Sequence, residues 1–284
     1  MRAAVYHGPR DIRVETVPDP VCGERDLVLR VTACGVCGSD LHSYTKGLFV
    51  EPGQIMGHEF AGEVVEIGRL VEGVRVGDRV TASPAVDCGR CARCIAGEPL
   101  LCQDQAGNII SGGFPGGFAE YLRVPSARPG QSVFVLPEGV TDEVGATTEP
   151  MGVGLRAAHH AAPSAYDTCV VFGLGMIGQV AVQALKVAGA ERVIGVDVAR
   201  QRLDAAAALG ADVVVDASEG QTLARLIELT GGGSARLRRR RVGQADVVVE
   251  CTGVPRCSTR RSTRCAAAGR SSRSRSTRRP RRST

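Results

Sequence analysis

Four cysteines within fifteen residues, Cys88-x2-Cys91-x2-Cys94-x7-Cys102, carry the clearest chemistry in this 284-residue sequence. Thiolates delivered by short loops close a tetrahedron around Zn²⁺ at about 2.3 Å per bond. Gly89 and Gly97 allow turns tight enough to do so. Disulfides and an iron–sulfur cluster are the competing assignments. The chain opens on Met1-Arg2-Ala3-Ala4-Val5-Tyr6, strand-like rather than secretory, so its eleven cysteines point to metal more than to disulfides, and a cytoplasmic location is expected. The even spacing counts only partly against the cluster. Four thiolates leave zinc no exchangeable position, so this site is expected to brace a lobe and not to catalyse.

A second set is split between Gly35-Val36-Cys37-Gly38-Ser39-Asp40-Leu41-His42 and Gly57-His58-Glu59-Phe60-Ala61-Gly62. A catalytic zinc needs few protein ligands and one open position, and one thiolate (Cys37), one imidazole (His58) and a carboxylate meet that need. A third motif, Gly173-Leu174-Gly175-Met176-Ile177-Gly178, follows the apolar run Cys169-Val170-Val171-Phe172 and opens a helical pattern. Its glycines suit a tight turn against pyrophosphate, whose charge the helix N-terminus favours. Ile177 belongs to the same cofactor-contacting turn. Asp197 ends the next strand, 24 residues after Gly173. There it can accept from both ribose hydroxyls and would repel a 2′-phosphate, which favours NAD over NADP.

These residues need two scaffolds. Residues 1–150 read as short strands, among them Val28–Val31, Gly62–Gly68 and Asp78–Thr81, broken by Gly, Pro and Asp, as in a β-barrel-like domain. From Glu149 onwards the pattern becomes strand–helix–strand. Gly152–Ala161, Ile177–Ala188, Arg200–Leu209 and Gln221–Thr230 read as helices; Arg192–Asp197, Asp212–Val215 and Asp246–Glu250 read as strands. That alternation predicts an α/β fold with a parallel sheet over residues 151–255.

The string Gly57-His58-Glu59-x2-Gly62-x5-Gly68-x2-Val71, with the four-cysteine spacing, resembles the zinc-dependent medium-chain dehydrogenase/reductase superfamily, that of the alcohol dehydrogenases. Cys34–His42 is similar to its sorbitol, threonine and butanediol dehydrogenase branch, and the resemblance runs from Met1 to about Pro255. It implies a GroES-like catalytic domain ahead of a Rossmann domain, with two zinc ions per subunit, one catalytic and one structural, and NAD. Cys37 and His58 become zinc ligands, with Glu59 able to enter the shell and Glu149 a further carboxylate bound directly or through water. Asp40 would hold His58 in one tautomer. Ser39 would bond the substrate hydroxyl and pass its proton to His42, which exchanges it with solvent. Arg202 falls where an adenosine-side contact is expected. Zinc would lower the pKa of an alcohol oxygen while NAD takes the hydride, and a secondary alcohol, diol or polyol is the implied substrate. A homo-oligomer, dimer or tetramer, is implied too.

Charge and composition close off other classes. Eleven arginines and no acidic residue lie in 256–284, so removing them turns the net charge of +5 into −6 for residues 1–255. No nucleic-acid surface follows from that, nor does any run of about 18 apolar residues suggest a membrane span. Of the last 29 residues, 22 are Arg, Ser or Thr. Such a segment is expected to be disordered. A functional basic arm is one reading of it, and a GC-rich coding sequence read out of frame is another. Arg236–Arg241 either shares that origin or forms an exposed loop. A C-terminally truncated Rossmann sheet with an unpaired edge is then expected, and with it an alternative: an inactive product that keeps only zinc binding.

Overall fold

The computed structural model describes residues 1–104, 109–235, 240–253 and 264–267, with backbone alone at 233–235, 240–243 and 264–267. The chain divides into two units, Met1–Glu149 and Pro150–Thr284.

In the first unit, β1 (Arg2–Gly8) and β2 (Asp11–Thr16) form an antiparallel hairpin. The remaining strands are β3 (Leu27–Gly35), β4 (Glu59–Ile67), β5 (Arg79–Ala82), β6 (Tyr121–Val124) and β7 (Val133–Val135). They make a five-stranded antiparallel sheet in the order β6-β3-β4-β5-β7. Leu27, Leu29, Phe60, Val64, Val80 and Leu122 fill its core. Burial of such side chains on one side of a sheet fixes register, because a one-residue slip would turn each of them over. The β3–β4 ladder shifts register between Val28 and Leu29 and again between Val31 and Ala33. Irregularities of this kind re-aim a strand end. Helix α1 (Gly38–Lys46) follows β3, and α2 (Ala92–Ile95) sits among the four cysteines. Helix α3 (Asp142–Ala146) precedes α4 (Thr148–Ala161), which starts in the first unit and continues in the second.

The second unit alternates as its sequence pattern predicts: β8 (Thr168–Phe172), α5 (Met176–Val187), β9 (Arg192–Asp197), α6 (Arg200–Ala208), β10 (Val213–Asp216) and α7 (Thr222–Thr230). A hairpin of β11 (Gly232–Ala235) and β12 (Arg240–Gly243) follows, then β13 (Val247–Glu250) and β14 (Arg264–Ala267). The sheet is parallel, ordered β10-β9-β8-β13-β14. Cys169 and Val171 of β8 pack with α4, α5 and α6, whereas Val170 packs with Val215 and with Leu226 of α7. Strands covered on both faces are apolar at every position, which is why they read as continuous runs. The order reverses between β8 and β13, and ligands of such sheets bind at the carboxyl ends beside that switch.

Two expectations change. The arginine-rich run 236–241 is not simply a loop, since Arg240 and Arg241 begin β12; residues 236–239 lie outside the described residues. The tail expected to be without structure contributes β14, which pairs with β13 along the edge expected to be bare. Ladder bonds are made by backbone groups, so a segment poor in apolar side chains can still supply them. The rest of 256–284 lies outside the described residues. Among the described residues no helix is long and apolar enough to cross a membrane.

Candidate functional site

The β3–β4 ladder pairs Gly35 with Glu59 and Cys34 with Phe60. The turn after β3 therefore lies beside the approach to β4, and Cys37, at the N-cap of α1, meets His58 and Glu59. One potential ligand atom from each of the three lies within 4.8 Å of the others. Glycine makes the space. A Cβ on residue 35 would overlap the Glu59 carboxylate. Gly57 holds φ +93°, and a Cβ there would stand 2.6 Å from the Phe118 ring. The Gly117 amide donates to the Gly57 carbonyl at 2.7 Å, which fixes the turn that presents His58.

Asp40 is buried on α1. One of its oxygens accepts from the Cys37 amide at 2.9 Å and the other lies 3.7 Å from His58 Nδ1. Burial alone would lower the pKa of His58, but hydrogen bonding to Cys37 and the charges of Asp40 and Glu149 raise it to about 9. Burial pushes the Glu59 and Glu149 carboxyls above their ordinary range, against the pull of His58. The two carboxyls so perturbed in one place would be relieved by a cation, and a metal bound at His58 would displace the proton that its neighbours now hold there. Glu149 stands on the first turn of α4, outside the tight trio, with its charge acting on His58. Ser39 and His42 share α1 with Asp40 and are three residues apart, neighbours on one helix face; Ser39 is half-buried and His42 exposed.

Cys88, Cys91, Cys94 and Cys102 also converge, with all four sulfurs within 4.8 Å of one another. Cys91 and Cys94 are 3.5 Å apart, and Cys88 and Cys94 3.9 Å. A tetrahedral zinc with bonds of about 2.3 Å has sulfur–sulfur edges of about 3.8 Å, whereas a disulfide would need about 2.05 Å. None of the four is joined in a disulfide. Hydrogen bonds from the Gln103 and Cys94 amides pull Cys91 down to about 6, while burial and its bond to Cys91 push Cys94 up to about 12. Four sulfurs this close resist joint ionisation, and a divalent cation at their centre removes the conflict. The donor set and its edges fit zinc. Asp87 and Arg128, which sequence spacing did not single out, flank this cluster. Arg128 is 41 residues from Asp87 in the chain and announces itself by no motif.

In the second unit, Gly173 leaves β8 at φ +83°, its amide donating to the Val196 carbonyl at 2.8 Å. A Cβ on Gly178 would overlap the Gly173 carbonyl, so the turn and α5 pack at backbone contact. Gly175 caps α5, and Ile177 is half-buried in its first turn. Asp197 is 7% exposed. One of its oxygens accepts from Leu174 at 2.7 Å, the other from Val198 at 2.7 Å and Ala199 at 2.9 Å. Burial opposes its ionisation, but these amides hold its pKa below the ordinary value. A carboxylate has about four acceptor positions, so about one remains for a ribose hydroxyl where the motif suggests two. Arg202 is largely exposed, its guanidinium 3.8 Å from Asp197.

Known proteins resemble this chain in sequence and fold. Residues 23–138 match the alcohol dehydrogenase GroES-like domain family and residues 176–272 the zinc-binding dehydrogenase family, the second match passing the Pro255 limit expected from sequence. Sorbitol dehydrogenase of Bacillus subtilis (strain 168) is 36% identical over 81% of this chain and 65% of its own length. (R,R)-butanediol dehydrogenase of the same organism is 36% identical over 90% and 71%. A Sinorhizobium meliloti 1021 chain of the zinc-binding dehydrogenase type, solved bound to NADP, superposes with a TM-score of 0.76 at 34% identity, covering 89% of this chain and 70% of that one. This chain thus spans about two-thirds of the length of the relatives it matches.

Proposed function

The chain belongs to the zinc-dependent medium-chain dehydrogenase/reductase family, and on that premise we propose that it transfers a hydride between a secondary alcohol, diol or polyol and NAD. The observation that carries this reading is the convergence of Cys37, His58 and Glu59, a three-donor set that would leave a four-coordinate zinc one position for an exchangeable ligand. Cys37, His58 and Glu59 would hold a zinc ion that supplies Lewis acidity to ease loss of the alcohol proton, and NAD held at the Gly173–Gly178 turn would supply the hydride acceptor.

The chain's own groups divide the remaining work. Glu149 adds a carboxylate beside His58, whose orientation Asp40 holds. Ser39 accepts a hydrogen bond from the substrate hydroxyl, takes its proton and passes its own to His42, whose exposed ring delivers it to water. The four-cysteine cluster holds a second, structural zinc. Gly173, Gly175, Ile177 and Gly178 bring backbone amides to the pyrophosphate. Asp197, with Arg202 beside it, meets the adenosine ribose and places a buried negative charge where NADP carries a phosphate. The domain limits that go with this reading are 1–150 for catalysis and zinc and 151–255 for NAD. A homo-oligomer and a cytoplasmic location complete it.

A panel of secondary alcohols, diols and polyols, assayed by nicotinamide absorbance with NAD and with NADP before and after chelation, tests the proposal. Turnover that prefers NAD and is lost on chelation supports it. No turnover on any member, with zinc bound, would sink the enzymatic reading.

A further inference from the structure

We infer that the Arg128–Asp87 pair is the electrostatic support of the four-cysteine zinc site: Arg128 neutralises a carboxylate that would otherwise weaken the metal. The inference rests on that cluster holding zinc, as proposed above. Asp87 immediately precedes Cys88 and is buried. Its oxygens accept from Arg128 Nη2 at 2.5 Å and from the Gly89 amide at 3.2 Å. It also hydrogen-bonds the Cys94 thiol. Arg128 reaches in from the segment between β6 and β7, its side chain 26% exposed. A second donor, Nη1, bonds the Asp87 carbonyl at 2.9 Å, and Nε bonds Gln131 at 3.2 Å. The guanidinium lies close enough to Gly89 that a Cβ there would meet it at 3.0 Å.

Charge decides the role. Zinc with four thiolates carries a net −2, and Asp87 would make the surroundings more negative still. Other cations of the lobe are engaged elsewhere, Arg90 with Asp104 at 3.4 Å and Arg93 with Glu98 at 2.7 Å, both pairs exposed and screened. Arg128 is the half-buried cation that bonds the loop between Asp87 and Cys91. Removing it leaves a buried carboxylate uncompensated against four thiolates, the costly way to break such a pair. Removing Asp87 instead leaves Arg128 facing a dianionic site with its bond to the carbonyl intact.

The test is the rate of zinc release from the full chain into a chromogenic chelator, for wild type, Arg128→Met, Asp87→Asn and the double variant, with circular dichroism of each. Arg128→Met is expected to release its slow zinc at least about tenfold faster than wild type. Asp87→Asn should match or undercut the wild-type rate, and the double variant should return most of the way to it. If the double variant releases zinc as fast as Arg128→Met, the pair acts by packing and the inference is overturned. Equal rates in all four proteins also overturn it, as does Asp87→Asn losing zinc faster than wild type. Wild type with no slowly released zinc would instead overturn the reading of the cluster. Should Arg128→Met not fold, Asp87→Asn alone decides, because faster release from it contradicts the inference.

Discussion

Asp40 ties Cys37 to His58: one carboxylate oxygen takes the Cys37 amide at 2.9 Å while the other stands 3.7 Å from His58 Nδ1. Two residues 21 positions apart in sequence are thereby referred to one buried carboxylate. Asp40→Asn keeps the size and loses the charge. Partners of this kind are worth about 10- to 100-fold in metal affinity or activity, and that loss is expected here, measured by chelator competition for the weaker of the two zincs. An unchanged affinity would remove Asp40 from the site's construction.

Gly35 faces Glu59 across the β3–β4 ladder with no room for a Cβ. Gly35→Ala must displace the carboxylate or the strand, and crowding of this order costs about 1–3 kcal/mol. The predicted signature is a fall in both melting temperature and zinc content, whereas Gly38→Ala, where a Cβ meets nothing within 4 Å, leaves both near wild type. Equal effects from the two substitutions would contradict this account of Gly35.

Asp197 couples the glycine turn to pH. Its pKa is held below the ordinary 3.8 by backbone amides, so the carboxylate stabilises the folded state fully above about 3.8 and progressively loses that contribution as pH falls through its lower folded value. Asp197→Asn cannot titrate. The melting-temperature gap between wild type and Asp197→Asn is therefore expected to hold constant above about pH 5 and to narrow towards pH 3. A gap that widens with acid would reverse the sign.

Much of this was legible in the sequence because its signals are local. The cysteine spacing delivers all four sulfurs within one loop, and Gly173–Gly178 follows an apolar run long enough to mark β8. Alternating runs located β8, α5, β9, α6, β10, α7 and β13 to within a residue, whereas α4 begins four residues before its expected start and β11 and β12 were not read from the pattern. Long-range partners were not legible. Arg128 finds Asp87 through the first unit's sheet, and Glu149 acts from α4 on His58 at the approach to β4; no spacing rule connects either pair. Asp197 was found as a residue, but its three amide bonds depend on how the turn and the α6 approach fold back on it. β14 escaped notice because pairing by backbone leaves no apolar pattern.

Elemental analysis of zinc per folded chain, in wild type and in Cys37→Ala, tests the central claim of two distinct sites most directly. About two zinc ions are predicted for wild type and about one for Cys37→Ala, the remaining ion leaving only when the four-cysteine lobe is disrupted. One zinc in both proteins would contradict the account, because the Cys37–His58–Glu59 trio would then hold no metal.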